Sequence, residues 1–365
     1  MKPAVFKMDK VKRRKTNPVR VGSLFIGGDA PITVQSMTNT CSGDYGETLE
    51  QIYRLFEAGA ELVRIAVPDK NAALILKKLV PKSPLPLIAD IHFDINMAYM
   101  SLENGAAKVR INPGNIGGPG KLAELATRAQ NYSVPLRIGV NSGSLERSLF
   151  KKHGGATAAA LVESALGHLK TLEEIGFKDV VVSLKASDVY TTINAYRLFS
   201  EKKPYPLHIG VTGSGPPSTG TVKSAIGIGA LLADGIGDTI RVSLTASPLE
   251  EVGVARQILQ SLNLRTFFPE LISCPTCGRC EVDLVPIVEA VEKMLQDYKI
   301  PLKVAVMGCA VNGPGEAREA DVGISAGKKK GILFRQGRVI KTVHQSQLVE
   351  TLQEELNLMV EQDSD

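Results

Sequence analysis

The chain has no tryptophan, and phenylalanine and tyrosine supply the whole aromatic share of 5%. A single-strand nucleic-acid surface interleaves aromatics with basic residues. None interrupts the one basic run, KVKRRKTNPVR, so nucleic-acid binding is not expected. No apolar run approaches the ~18 residues of a membrane span. The start, MKPAVFKMDKVKRRK, lacks the apolar stretch of a secretory signal. Cysteine is scarce and odd in number, five in 365 residues. That argues against a disulfide framework and for a reducing, cytoplasmic compartment.

Charge is close to balanced outside the first twenty residues. Those carry eight Lys/Arg and one acid, while the remainder has 35 basic against 37 acidic residues. Residues 1–20 therefore read as a solvated basic arm.

What is present is an order repeated along the chain. Short apolar or β-branched runs alternate with longer helical patterns. The runs are PITVQSM, ELVRIAV, PLIADIH, AKVRINP, PLRIGVN, DVVVSLK, PLHIGVT and DTIRVSL, between Pro31 and Leu244. Helical patterns such as Thr48–Ala58, Thr157–Ile175 and Pro248–Leu262 separate them. EAGAEL, ENGAAK and EEIGFKD place a glycine where a helix should stop. Eight strand–helix units within about 230 residues predict an α/β fold of the TIM type, a closed (β/α)8 barrel, over a doubly wound open sheet. The barrel is expected over 21–268. A smaller α+β domain is expected over 269–365, with helices Leu284–Tyr298 and Gln347–Glu361 and four further strands.

Barrel active sites lie at the C-terminal ends of the strands. Arg64, Arg110, Arg137, Lys185 and Arg241 all fall in or at the end of predicted strands, with Asp90 as the single carboxylate among them. His92, Asn112, Asn141, His208, Thr212 and Ser243 lie at the same level. Unpaired buried charge is costly, so an anionic ligand should supply the countercharge, and arginine forks suit phosphate oxygens. The glycine-rich loops NPGNIGGPG, NSGS and TGSGPPSTG can offer backbone N–H groups to the same anion. His208, in the middle of its strand, reads as a satisfied core residue. His92, beside Asp90, reads equally well as facing a ligand.

Four of the five cysteines lie in the last hundred residues: Cys274, Cys277 and Cys280 in CPTCGRC, and Cys309 in MGCAVNGPGE. Zinc, an iron–sulfur cluster and a redox dithiol all remain open on this spacing. Cys309 has no second cysteine near it, which suits a cluster better than a paired zinc knuckle. Glu316 stands seven residues beyond Cys309. As a carboxylate ligand it would leave one iron exchangeable.

Taken together, APITVQSMTNT, VRIAVP, ADIHFD, RINPGNIG, RIGVNSGSLE, KASDV, VKSAIGIG, GDTIRVSLTA, CPTCGR and GCAVNGPGE resemble the bacterial 4-hydroxy-3-methylbut-2-enyl diphosphate synthase family. The resemblance runs from about Arg13 to the C-terminal helix. It implies reductive ring opening of 2-C-methyl-D-erythritol 2,4-cyclodiphosphate in isoprenoid biosynthesis. It implies a 4Fe-4S cluster on Cys274, Cys277, Cys309 and Glu316, with Cys280 a bystander. It implies flavodoxin or ferredoxin as electron donor, and a homodimer. Arg64, Arg110, Arg137, Asn141, Lys185, Arg241 and Ser243 fall on the family's substrate-binding positions. Glu316, Asp90 and His92 fall on its catalytic ones. One departure stands out: the family has VTEAG where this chain has VTGSG, so Gly213 replaces a pocket glutamate. That leaves a paralogous reductase of another phosphorylated substrate as the alternative. A non-catalytic, zinc-stabilised phosphate-binding protein is a rival of another class.

Overall fold

The computed structural model describes residues 11–298, 300–309 and 320–363. The chain divides into two compact units, one ending at Arg265 and the other starting at Thr266.

The first unit is an eight-stranded parallel barrel. Its strands are β3 (Thr33–Met37), β4 (Leu62–Ala66), β5 (Leu87–Ile91), β6 (Lys108–Ile111), β7 (Leu136–Asn141), β8 (Val180–Lys185), β9 (His208–Ile209) and β10 (Thr239–Ile240). They run in the order β8-β7-β6-β5-β4-β3-β10-β9, and a bridge between Val182 and Leu207 closes the ring. β9 and β10 are much shorter than the runs PLHIGVT and DTIRVSL suggested. Beyond them the backbones stay close, with Arg241 N–H donating to Ile209 O at 3.1 Å, but no regular ladder continues.

Aspartate, threonine and serine N-caps start six of the described helices. Asp44, Asp69, Asp94, Thr157, Asp188 and Ser247 each accept a backbone N–H in the first turn. The predicted stop glycines Gly59, Gly105 and Gly176 all have positive φ, and the residue after each bonds back across the last turn.

The sequence reading missed a hairpin, β1 (Val19–Val21) with β2 (Leu24–Ile26), paired antiparallel. Val19, Val21 and Ile26 bury themselves with Leu62, Ile88 and Val181 from the first residues of the barrel strands. The hairpin therefore plugs the barrel's N-terminal end, leaving the other end for chemistry. In the described part of the basic arm Lys12, Lys15 and Arg20 are exposed, but Arg13 and Arg14 are engaged. Arg13 pairs with Asp238 at 3.0 Å, and Arg14 donates to the carbonyls of Lys203 and Tyr205 at 2.7 Å. Asp238 is buried, so it gains from the charge that the arm brings.

The second unit is a five-stranded sheet in the order β11 (Glu270–Ser273), β12 (Lys303–Met307), β13 (Val322–Ser325), β14 (Lys330–Arg335), β15 (Arg338–His344). The first three strands are parallel and the last two antiparallel. The helix Leu284–Leu295 and the C-terminal helix Leu348–Asp363 cover its core of Val304, Val306, Val322, Ile324, Leu333, Leu352 and Leu356. Strand β11 was also missed, because ELIS is too short and too mixed to carry a period.

Candidate active site

The strand register sets which side chains point into the barrel. Alternation puts Arg64, Asp90, Lys108, Arg110, Arg137, Lys185 and His208 on the interior face of their strands, all buried. Asp90 is the hub. Arg110 Nη1 donates to its Oδ1 at 2.9 Å, Arg64 Nε stands 3.5 Å from Oδ2, and His92 Nε2 lies 4.0 Å away. Burial alone would raise the Asp90 pKa. Arg64, Arg110 and Arg137 outweigh that and hold it well below the usual carboxylate range. Burial brings Arg64 down to about 10, with Asp90 opposing the fall. The Asn141 amide oxygen accepts from Arg110 Nη2 at 3.0 Å. Gly139 leaves the space that Arg110 fills, since a Cβ there would lie 2.7 Å from its Nε.

The sequence reading placed Asp90 as the only carboxylate among the cations, and this is corrected. Glu251, in the first turn of the helix Pro248–Ser261, is buried and pairs with Arg241 at 3.1 Å. It also accepts Leu244 N–H at 2.8 Å. Helical residues were not weighed as barrel-lining, so Glu251 gave no signal. Lys108 was missed for a different reason: it opens β6, two residues before Arg110, and reads as a strand-end charge. It is fully buried.

Six interior cations therefore face two carboxylates. Among the described residues, Lys108, Arg137 and Lys185 have no ion-pair partner. Burial, reinforced by their cationic neighbours, pushes all three well below their ordinary pKa values. Arg137 Nε and Nη1, Lys108 Nζ, the Gln35 amide and both ring nitrogens of His208 are buried without a hydrogen-bond partner. His208 is thus not the satisfied core residue expected of it.

Loops at the same end add polar groups. Asn112 donates to Ser144 across the tops of β6 and β7. Glu146 accepts from His168 at 2.8 Å and from Ser164 at 3.0 Å, which anchors the NSGSLE loop. The His168 hydrogen bond is the main reason the Glu146 carboxyl falls to about 2. Ser243 is partly buried, two residues beyond Arg241. His92 is half exposed, with Phe93 more exposed beside it. Gly213 has φ +63°, and its ideal Cβ would meet nothing closer than Ser187 Cβ at 3.8 Å. Space for a side chain exists, but the left-handed backbone would cost one about 1–2 kcal/mol. A glutamate cannot simply be restored there without strain.

In the second unit the cysteines gather at one edge of the sheet. Cys274 follows β11, and Cys309 lies two residues past the adjacent parallel strand β12. Gly308 N–H donates to Cys274 Sγ at 3.3 Å. A Cβ on Gly308 would lie 2.5 Å from Cys280 Sγ, so only glycine lets that thiol pack there. Cys280 donates to Val282 O at 3.2 Å. Cys277 is exposed, and hydrogen bonds from Arg279 N–H and the Arg279 side chain lower its pKa. Two thiols follow neighbouring strand ends and a third lies on the turn after the first, donor types that suit a thiolate-held cluster. Among the described residues, no three Cys, His, Asp or Glu side chains come together closely enough to hold a metal ion. Glu316 lies outside the described residues.

The fold and these two regions define a class: a parallel barrel with an excess of buried cations in its interior, followed by a smaller α+β unit that carries four of the five cysteines. The match to known proteins is more particular. The GcpE TIM-barrel domain matches residues 16–256 and the GcpE protein C-terminal domain residues 270–358. The chain belongs to the GcpE family. It is 53% identical over 349 residues to 4-hydroxy-3-methylbut-2-en-1-yl diphosphate synthase (flavodoxin) of Lawsonia intracellularis, covering 95% of this chain and 97% of that one. To the enzyme of the same name from Geobacter sulfurreducens it is 54% identical over 340 residues, covering 93% and 96%. A dihydropteroate synthase from Stenotrophomonas maltophilia shares the barrel fold alone. Its TM-score is 0.50 at 12% identity, over 68% of this chain and 98% of that one.

Proposed function

We propose that the chain reductively opens 2-C-methyl-D-erythritol 2,4-cyclodiphosphate to 4-hydroxy-3-methylbut-2-enyl diphosphate, with flavodoxin or ferredoxin as donor. The observation that carries this reading is the excess of buried cations over carboxylates inside the barrel. A cyclic diphosphate supplies the missing negative charge. The reaction takes in two electrons and two protons and releases one water.

Each residue has a part in it. Arg137 and Lys185, without acidic partners, bind phosphoryl oxygens most directly. Arg64, Arg110 and Arg241 share their forks between phosphate and the carboxylates that orient them. Asn141 and Ser243 add neutral hydrogen bonds. Asp90, kept ionised by its arginines, fixes the cationic ring rather than giving up a proton. His92, half exposed at the mouth, is the better placed to hold one. Cys274, Cys277 and Cys309, with Glu316, would hold a 4Fe-4S cluster, and Cys280, whose thiol faces Val282 O, would stand outside it. When bound, the cluster supplies single electrons at low potential. The working form would be a cytoplasmic homodimer. The paralogue with another substrate has nothing in its favour, because relatives at about half identity share one enzyme name.

The test is anaerobic reconstitution with iron and sulfide, then assay with the cyclic diphosphate and reduced flavodoxin. The expected outcome is a brown protein absorbing near ~400 nm that releases the linear diphosphate. A colourless protein that binds zinc and not iron would overturn the reading.

A further inference from the structure

Charge in the second unit is strongly segregated. From Thr266 onward the sequence has eleven Lys/Arg against fifteen Asp/Glu, an acidic balance. Yet Val322 to Val349 contains six cations and no acid: Lys328, Lys329, Lys330, Arg335, Arg338 and Lys341. Arg335 and Lys341 turn back to pair with Glu355 and Glu354 on the C-terminal helix. Lys328, Lys329 and Lys330 are exposed, and their ammonium groups make no ion pair among the described residues.

The topology puts these three lysines beside the cysteines. Strands β12 and β13 are parallel, with Met307 level with Ser325, so both end at the same edge. Ala326 N–H donates to Met307 O at 2.7 Å, and Ser325 Oγ donates to Cys309 O at 3.1 Å. The lysine turn follows at once. Lys328 N–H reaches Glu281, the residue after Cys280, at 3.4 Å. Arg279, between Cys277 and Cys280, adds a further exposed cation. An apolar groove continues the same end of the unit. It holds about 330 Å³ and is lined by Pro286, Ile287, Ala290, His344 and Val349. Strand pairing of Lys330 with His344 fixes it next to the lysines.

We infer that the Lys328–Lys330 turn and this groove dock an acidic electron-carrier protein against the cysteine edge. This rests on the cluster reading above and names the partner's surface. The positive turn attracts the negative rim of the carrier, and the groove gives the complex an apolar contact. The carrier's redox group is thereby brought close to Cys274 and Cys309. A bound cluster there would accept single electrons, so the two electrons of one turnover would call for two encounters with a one-electron carrier.

The test uses the reconstituted full chain and oxidised flavodoxin, with binding read by titration calorimetry at low and high salt. Reversing the turn (Lys328→Glu, Lys329→Glu, Lys330→Glu together) should weaken binding by about tenfold or more at low salt, and much less at high salt. The neutral triple change to Gln should fall between, and it controls for damage to the turn. Absorbance near ~400 nm and turnover with a small chemical reductant should be unchanged in both variants. Unaltered flavodoxin affinity, with the cluster intact, overturns the docking surface and leaves the enzyme reading standing. Absence of any cluster in the unmodified chain overturns that reading, and the docking proposal with it.

Discussion

In the barrel, Arg64, Asp90, Lys108, Arg110, Arg137 and Lys185 sit on strands whose register dictates where each one points. In the second unit, Cys274 and Cys309 border strands, while Cys277 and Cys280 occupy a turn closed by Cys280 N–H to Cys277 O at 2.9 Å. The barrel site is rigid and electrostatically strained: Lys108, Arg137 and Lys185 are buried without countercharge. The cysteine edge shows no such strain. Its thiols are individually content, one accepting from Gly308 and another donating to Val282. A preorganised cationic site stores a cost that its ligand relieves. A thiol site of this kind is instead completed by the group it binds, since metal affinity couples to ligand assembly.

The sharpest way to break that contrast lies at the cysteines. Cys274→Ala or Cys309→Ala should abolish absorbance near ~400 nm altogether, because a site with three thiolates has no spare one. Cys280→Ser should leave iron content and spectrum intact. Iron lost from Cys280→Ser but retained in Glu316→Ala would make the site a four-cysteine one.

Smaller, and opposite in sign for stability, are two arginine changes. Arg110→Ala takes from Asp90 its shortest ion pair and leaves Arg64 at 3.5 Å and His92 at 4.0 Å. The fold should lose about 1.5–3 kcal/mol, the worth of a buried hydrogen bond to a charged group. Little effect on folding would mean that the Arg110–Asp90 pair contributes nothing to the fold. Arg137→Met removes a buried cation with two unpartnered nitrogens, so the ligand-free protein should be as stable as before or more so. Each change should weaken the cyclic diphosphate by roughly ten- to a hundredfold, the worth of one charge-assisted contact. Thermal unfolding without ligand, beside calorimetric titration, separates the two. Equal destabilisation by both would mean that Arg137 has a partner in the folded protein.

These pairs also show what the sequence could reveal. The alternation in VRIAV, ADIHF, KVRIN and RIGVN places Arg64, Asp90, Arg110, Arg137 and Asn141 on one face, so most of the barrel site was readable from period alone. Glu251 was not, because its helix closes over a strand end far away in sequence. Lys108 was visible but gave no hint that it lacks a partner, since pairing depends on several strands at once. The hairpin Val19–Ile26 was hidden by strands of three residues each. The cysteine spacing narrowed the metal without fixing the ligands, because a turn has no period to read. Gly213 is legible as a missing carboxylate, but its φ of +63° is not. Any rate gain from Gly213→Glu must therefore be set against a strained turn.

The finest test of the comparison is Lys108→Met, which touches the strain and not the ligand contacts. Lys108 is fully buried, and its electrostatic neighbours are Arg137 and Arg64, both cationic. Replacing it by an apolar side chain of similar length should stabilise the ligand-free protein by about 1–3 kcal/mol near neutral pH. The pH dependence has a definite sign. Burial lowers the Lys108 pKa in the folded state, so between that value and the ordinary 10.5 the unfolded chain binds the extra proton. Wild-type stability then rises with pH across this window, by up to about 1.4 kcal/mol per unit, while the methionine variant lacks this dependence. The variant's advantage should be full below the folded-state pKa and should vanish as the pH approaches 10.5. Thermal melts of both proteins from neutral pH upward measure it directly. A gap that is constant with pH would trace the effect to packing. A destabilised variant at neutral pH would show that Lys108 carries its charge against a partner, and the barrel interior would then be less strained than its six cations and two carboxylates imply.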